Sequence, residues 1–242
     1  MIDDNTERIS VATVNWMIRN ISGDDEFFSH LRGLVTEAKR LGADLVLLPE
    51  LFQLELLKAR PNGAEGQVAE ILAPYATLIE RELVNLATEL SIIIVGGSHL
   101  KKEANGVVNY APIVFPNGKI FFQSKNVRTQ WELAPWNLAE KTGLISLPLK
   151  KLGVLICYDS EFPEAARSQS ESGVELLCVP SYTESQHGYQ RVNFSCRARA
   201  VENEIFVVQS CIVGPIQCYG LETGYGRSSI MTPSKSPFPP SA

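Results

Sequence analysis

Short apolar runs without inward–outward alternation recur along the chain, and stretches of helical periodicity lie between most of them. LVLLP at 45–49, IIIV at 92–95, LGVLIC at 152–157, LLCVP at 176–180 and IFVV at 205–208 have this form. A strand of that kind needs apolar cover on both faces. The intervening segments can supply it. In residues 23–42, Phe28, Leu31, Leu34, Val35 and Ala38 make one apolar stripe, Asp24 or Asp25 can cap the start, and Gly42 can stop the end. Residues 65–90 read as helical with a break at Pro74. FPEAARSQS at 162–170 and YQRVNFSCRARAVENE at 189–204 are helical again. RISVATVNW at 8–16 alternates and reads as a single strand. VVNYAPIVF and KIFFQSK flank Pro116-Asn117-Gly118, a hairpin signal that makes the sheet mixed rather than all-parallel. The sum is a layered α/β domain.

Composition narrows the class. Apolar residues make up 45 % and charged residues 20 % of the 242, which excludes collagen-like, coiled-coil and disordered chains. Net charge is −5, and no basic block exceeds Lys101-Lys102 or Lys150-Lys151, so a nucleic-acid partner is not expected. The five cysteines form no C-x-x-C, which argues against a zinc ribbon or a disulfide framework and suits the reducing cytoplasm. The least charged stretch, IFVVQSCIVGPIQCYGL, is interrupted by Gln, Ser, Gly and Pro and makes a poor membrane span. The start, MIDDNTERIS, is acidic and polar, unlike a targeting peptide. We expect one domain over 1–242, with a polar segment at 1–8 and a Pro-rich tail at 233–242. That tail either ends the domain in extended form or marks a chain cut short of its natural end.

Three strand ends carry reactive groups. Glu50 closes LVLLPE, Lys125 closes KIFFQSK and Cys157 closes LGVLIC. In open α/β sheets, function gathers just outside strand ends. A charge directly after buried apolar residues is badly placed unless it meets a partner. A carboxylate, an ammonium and a thiol converging at one edge would satisfy that need and make a reactive site. The lysine charge and the N-terminus of the helix after Cys157 would favour thiolate. The carboxylate could take the thiol proton and later activate water. The three histidines are scattered without ligand spacing, and Gly96-Gly97 lacks the lysine of a phosphate loop. No metal or cofactor is called for. Alone, Cys157 would read as a buried structural thiol, Lys125 as an edge charge, and Asp159 and Glu164 as turn and first-turn residues.

The stretches LVLLPELF, NYAPIVFPNGKIFFQSKNV, GVLICYDSEFPEAAR, VPSYT, RARAVEN and GRSSIMTP keep one order over most of residues 9–233. In this the chain resembles the nitrilase superfamily of carbon–nitrogen hydrolases. The resemblance implies a four-layer αββα sandwich with mixed sheets. It implies Cys157 as nucleophile, Glu50 as general base, and Lys125 as oxyanion stabiliser together with the backbone N–H of Tyr158. It implies a second glutamate soon after the lysine, best matched by Glu132, to position substrate or orient Lys125. Tyr182 and Thr183 follow a strand and are candidates to line the substrate pocket, with Tyr158.

True nitrilases of the superfamily usually carry Cys-Trp-Glu. Cys157-Tyr158-Asp159 followed by Phe162-Pro163-Glu164 looks like the amidase branches, so the expected substrate is a small linear amide. Many amidase members have Arg before the Phe-Pro-Glu. This chain has Ser160-Glu161, and an acid there would favour a cationic substrate. The rivals are an N-carbamoyl amine or amino-acid hydrolase, a nitrilase, a catalytically silent scaffold, and an ammonia-supplying domain of a larger protein. The family also implies a homo-oligomer, dimer or higher, if the C-terminus is complete.

Overall fold

The computed structural model describes residues 8–141, 143 and 151–238. Most of the polar start, residues 1–7, and the last four residues of the Pro-rich tail lie outside the described residues, as does Lys150 at the head of the predicted KKLGVLIC strand. The strands are β1 (Val11–Thr13), β2 (Asn15–Met17), β3 (Leu45–Leu47), β4 (Ile93–Val95), β5 (His99–Glu103), β6 (Gly106–Val114), β7 (Ile120–Ser124), β8 (Leu152–Val154), β9 (Leu176–Ser181), β10 (Phe206–Cys218), β11 (Leu221–Gly224) and β12 (Ser229–Met231). The α-helices are α1 (Asp24–Arg40), α2 (Val68–Leu72), α3 (Ala76–Leu90), α4 (Gln130–Leu133), α5 (Pro163–Glu171) and α6 (Gln186–Asn203).

They build two mixed sheets. One runs β1-β3-β4-β6-β5 with β7 also on β6, and the other β11-β10-β9-β8 with β2 and β12 also on β10. Side-chain alternation shows why the apolar runs are continuous. Leu45 and Leu47 of β3, Ile93 and Val95 of β4, and Ile113 of β6 share a core with the second sheet and with Val192, Cys196 and Ala200 of α6. The intervening Val46, Leu48 and Ile94 share a different core with Phe27, Leu31 and Val35 of α1 and Ile79, Leu83 and Leu86 of α3. Both faces of each sheet are covered, and the layers are α, β, β, α, as the motifs implied.

The structure departs from the sequence expectations in several places. Residues 8–16 are not one strand. β1 pairs with β3, whereas β2 pairs with β10, and Val14 carries the chain between the sheets. The Val14 N–H still donates to Leu47 O of the first sheet, but its carbonyl accepts from the hydroxyls of Ser210 and Ser228 in the second. The N-cap of α1 is Gly23, and Asp24, Asp25 and Glu26 form its first turn, where acids meet the positive helix end. Phe27 rather than Phe28 is fully buried, so the stripe starts one residue earlier. The 65–90 segment breaks around Pro74 into α2, a short 3₁₀ turn and α3.

SIIIVGGSHL is two strands, β4 and β5, parted by Gly96-Gly97. Gly97 has φ +57, and a Cβ there would sit 1.9 Å from Pro49 O. Only glycine lets this turn lie against the backbone just before Glu50. Gly97→Ala is therefore expected to lower the unfolding free energy by about 2 kcal/mol or more. An unchanged urea midpoint would show that the backbone yields there at no cost.

Candidate active site

Glu50 leaves β3 at the first sheet's edge. It bridges Ser98 in parallel register, and the next residue, Leu51, is left-handed (φ 55) with its N–H on Ser98 O at 2.9 Å. Lys125 directly follows β7, its N–H bonded to Asn109 O of β6. Cys157 follows β8, opens a 3₁₀ turn over Cys157–Glu161, and is itself left-handed (φ 47). Glu132 sits on α4, where Thr129 caps the helix: the Thr129 N–H and hydroxyl both donate to Glu132 Oε2, at 2.8 and 3.0 Å.

The four side chains meet. Lys125 Nζ lies 2.7 Å from Glu50 Oε1 and 2.7 Å from Glu132 Oε2. Asn109 Nδ2 donates to Glu132 Oε1 (2.9 Å) and, at longer range, to Glu50 Oε1 (3.3 Å). The other Glu50 oxygen accepts the Tyr182 backbone N–H at 2.9 Å. The Cys157 thiol donates to Tyr182 O at 3.5 Å and lies near enough to Glu50 and Lys125 to feel both charges. Glu50, Lys125, Cys157 and Glu132 are all buried, 1 %, 6 %, 4 % and 1 % exposed. Their charges are therefore set by one another rather than by bulk water.

That setting fixes the protonation pattern. Burial works against the Lys125 charge, but Glu132 and Glu50 outweigh it and hold the ammonium well above the usual lysine range. Burial likewise works against Glu132, and Lys125 overcomes it, so this carboxyl is held down as a standing anion. Glu50 is pushed up by burial, which Lys125 only partly offsets. Cys157 is pushed well up by burial and then by the Glu50 charge. The sequence expectation of a lysine-stabilised thiolate is thus reversed: the resting sulfur holds its proton beside a carboxylate of raised basicity. A thiol, an acceptor for its proton and a fixed cation in one closed pocket suit acyl transfer.

Other predicted residues are placed less directly. Tyr182 lines the site with its backbone, and its ring meets Trp131 edge-on with centroids 5.4 Å apart. Thr183 turns away, donating its hydroxyl to Tyr225 O. The Tyr158 ring packs on Phe162 and under the Arg191 guanidinium. Glu161 pairs with Arg191 at 2.6 Å, which gives the acid at the departing position an intramolecular partner. Asp159 does more than cap a turn. It accepts from the N–H groups of Asn126, Val127 and Ile156, tying the backbone after Lys125 to the backbone before Cys157. Asn109 and Trp131 were not anticipated. Asn109 had a signal, since a lone amide in the apolar VVNYAPIV needs a buried partner. Among the described residues, no group of three His, Cys, Asp or Glu is arranged to hold a metal ion.

Residues 9–236 match the profile of the carbon–nitrogen hydrolase family. The chain is 29 % identical over 237 residues to a protein named probable hydrolase YhcX from Bacillus subtilis (strain 168), covering 95 % of this chain and 45 % of that protein, so it spans about half of that relative's length. It is 30 % identical over 216 residues to a deaminated glutathione amidase from Synechocystis sp. (strain PCC 6803 / GT-S), covering 83 % of this chain and 76 % of the relative. The crystal structure of Nit3 from Saccharomyces cerevisiae, a member of branch 10 of the nitrilase superfamily, superposes with a TM-score of 0.74 at 25 % identity, covering 93 % of this chain and 82 % of that one.

Burial raises the Asp159 carboxyl to about 6. The folded protein therefore holds this proton more tightly than the unfolded chain. The stability it contributes is present below pH about 4 and fades as pH rises through about 6. Asp159→Asn removes that slope while losing acceptors for the backbone N–H groups. Across this window the wild type is expected to lose about 3 kcal/mol more unfolding free energy than the variant. Urea titrations across the window test this, and parallel pH profiles for the two proteins would refute it.

Proposed function

The chain belongs to the carbon–nitrogen hydrolase family, and from that premise we propose that it hydrolyses a small linear amide to a carboxylic acid and ammonia through a thioester on Cys157. The observation that carries this reading is the contact set: one ammonium 2.7 Å from each of two carboxylates, with Tyr182 joining Glu50 through its N–H and the Cys157 thiol through its carbonyl.

As the sulfur adds to the substrate carbonyl, Glu50 takes the thiol proton, and Lys125 faces the oxygen that becomes negative, with the Tyr158 N–H beside it. Glu50 then returns the proton to the leaving nitrogen, the carbon–nitrogen bond breaks, and ammonia departs. Water enters, Glu50 removes its proton, and the second tetrahedral intermediate collapses with loss of sulfur. The acid leaves and Cys157 regains its proton. The raised basicity of Glu50 makes it a better acceptor for the thiol proton, and the Lys125 ammonium favours the sulfur anion as it forms. Glu132 remains an anion throughout and holds Lys125 toward the reacting oxygen.

Amide rather than nitrile is supported by Cys157-Tyr158-Asp159 in place of Cys-Trp-Glu and by the amidase name of the Synechocystis relative. The Tyr182 and Trp131 rings, edge to face with each other and next in sequence to Thr183 and Glu132, are the candidates to hold the acyl part of the substrate.

Intact-protein mass spectrometry after incubation with a panel of small amides tests the assignment. Wild type should carry an acyl adduct that Cys157→Ala lacks, and Glu50→Gln should abolish turnover. Lys125→Gln should lower kcat by roughly 10²–10³, the usual effect of losing an oxyanion donor. Turnover of any amide by Cys157→Ala at the wild-type rate would sink the thioester route, and carbon dioxide released with the ammonia would redirect the substrate to an N-carbamoyl compound.

A further inference from the structure

The stretch RARAVEN at 197–203 has no part in the chemistry above. Its middle arginine, Arg199, projects from α6 onto the turn that begins with Cys157. Its Nε donates to Ser160 O and its Nη2 to Glu161 O, both at 3.0 Å, while Nη1 meets Glu202 at 2.9 Å. The residue is 6 % exposed. The two carbonyls are the last of the 3₁₀ turn, the groups that a helix end leaves without an internal partner. The Ser160 hydroxyl donates back to Cys157 O at 2.7 Å, so the grip on Ser160 reaches the nucleophile in one step.

Cys157 needs such a grip. Its left-handed backbone costs a non-glycine residue on the order of 1–3 kcal/mol and persists only where the surroundings over-determine it. Asp159 holds the turn to the Lys125 strand on one side. Arg199 holds it to α6 on the other, with a planar fork that meets two successive carbonyls, as a lysine could not.

We propose that Arg199 is a positioning residue for the reaction: by clamping the Ser160 and Glu161 carbonyls it keeps Cys157 left-handed, with its sulfur at Glu50 and Lys125. The inference rests on Cys157 being the nucleophile. The experiment uses the full chain and two variants, Arg199→Ala and Arg199→Lys. It follows alkylation of each thiol by iodoacetamide with peptide mapping, alongside amide turnover and circular dichroism. In Arg199→Ala, Cys157 alkylation and kcat should fall together, on the order of 10- to 100-fold, as displaced reacting groups do. KM should stay within about twofold. Added guanidinium, entering beside the half-exposed Glu202, should restore part of both rates, whereas sodium chloride of equal ionic strength should not. Arg199→Lys, with the charge but not the fork, should remain slow. Folded Arg199→Ala reacting like wild type would overturn the proposal, and so would a loss that guanidinium leaves untouched or that Arg199→Lys fully repairs. If Arg199→Ala does not fold, Arg199→Lys alone decides. If wild-type Cys157 reacts no faster than the other four cysteines, the nucleophile assignment fails instead, which is a separate outcome.

Discussion

A single ammonium, enclosed by protein and shared between two carboxylates, is the interaction around which this molecule is arranged. Lys125 could not stay charged at 6 % exposure without Glu50 and Glu132, and among the described residues neither acid has another cation at comparable range. Removing one partner of a buried ion pair is strongly destabilising because the other charge is stranded. The neighbouring structure serves to hold this arrangement in place. Asn109 reaches both acids, Thr129 fixes Glu132 through a helix cap, and Tyr182 N–H completes the shell of Glu50. Each donor comes from a different strand or helix end, so the pocket exists only once both sheets are assembled.

Strain enters at two matching points. The residue after Glu50 and the nucleophile itself both adopt left-handed backbone at strand exits. Each turn throws its side chain out of the sheet and into the space between elements. Such conformations survive where hydrogen bonds leave no alternative, and here Ser98 supplies them for one turn and Asp159 with Ser160 for the other.

Much of this was legible in the sequence, for physical reasons. Unbroken apolar runs reported strands covered on both faces, and the alternation of Leu45 and Leu47 with Val46 and Leu48 between two cores shows why that inference held. Charged or reactive residues at the ends of those runs pointed to Glu50, Lys125 and Cys157, since burial without a partner is costly. What escaped was whatever depended on distant backbone. Nothing local in RISVATVNW says that Val14 changes sheets, because the pull comes from Ser210 and Ser228. Glu161 looked free to face a substrate until Arg191, thirty residues on, was placed beside it. The resting state of Cys157 was misjudged because burial and the charge of Glu50, neither visible in a motif, outweigh the lysine.

The crossing at Val14 also dictates an order of events as the chain is made. Thr13 donates its hydroxyl to the carbonyl of Gln209, 196 positions away, and β2 lies alongside a strand that leaves the ribosome long after it does. α1 and the first sheet can form early, but Trp16, wholly enclosed in the finished protein, must wait for β10 to arrive. Pairings of such separation are slow to close and leave sticky intermediates meanwhile. Until β10 is made, the nascent chain holds β2 without its neighbouring strand.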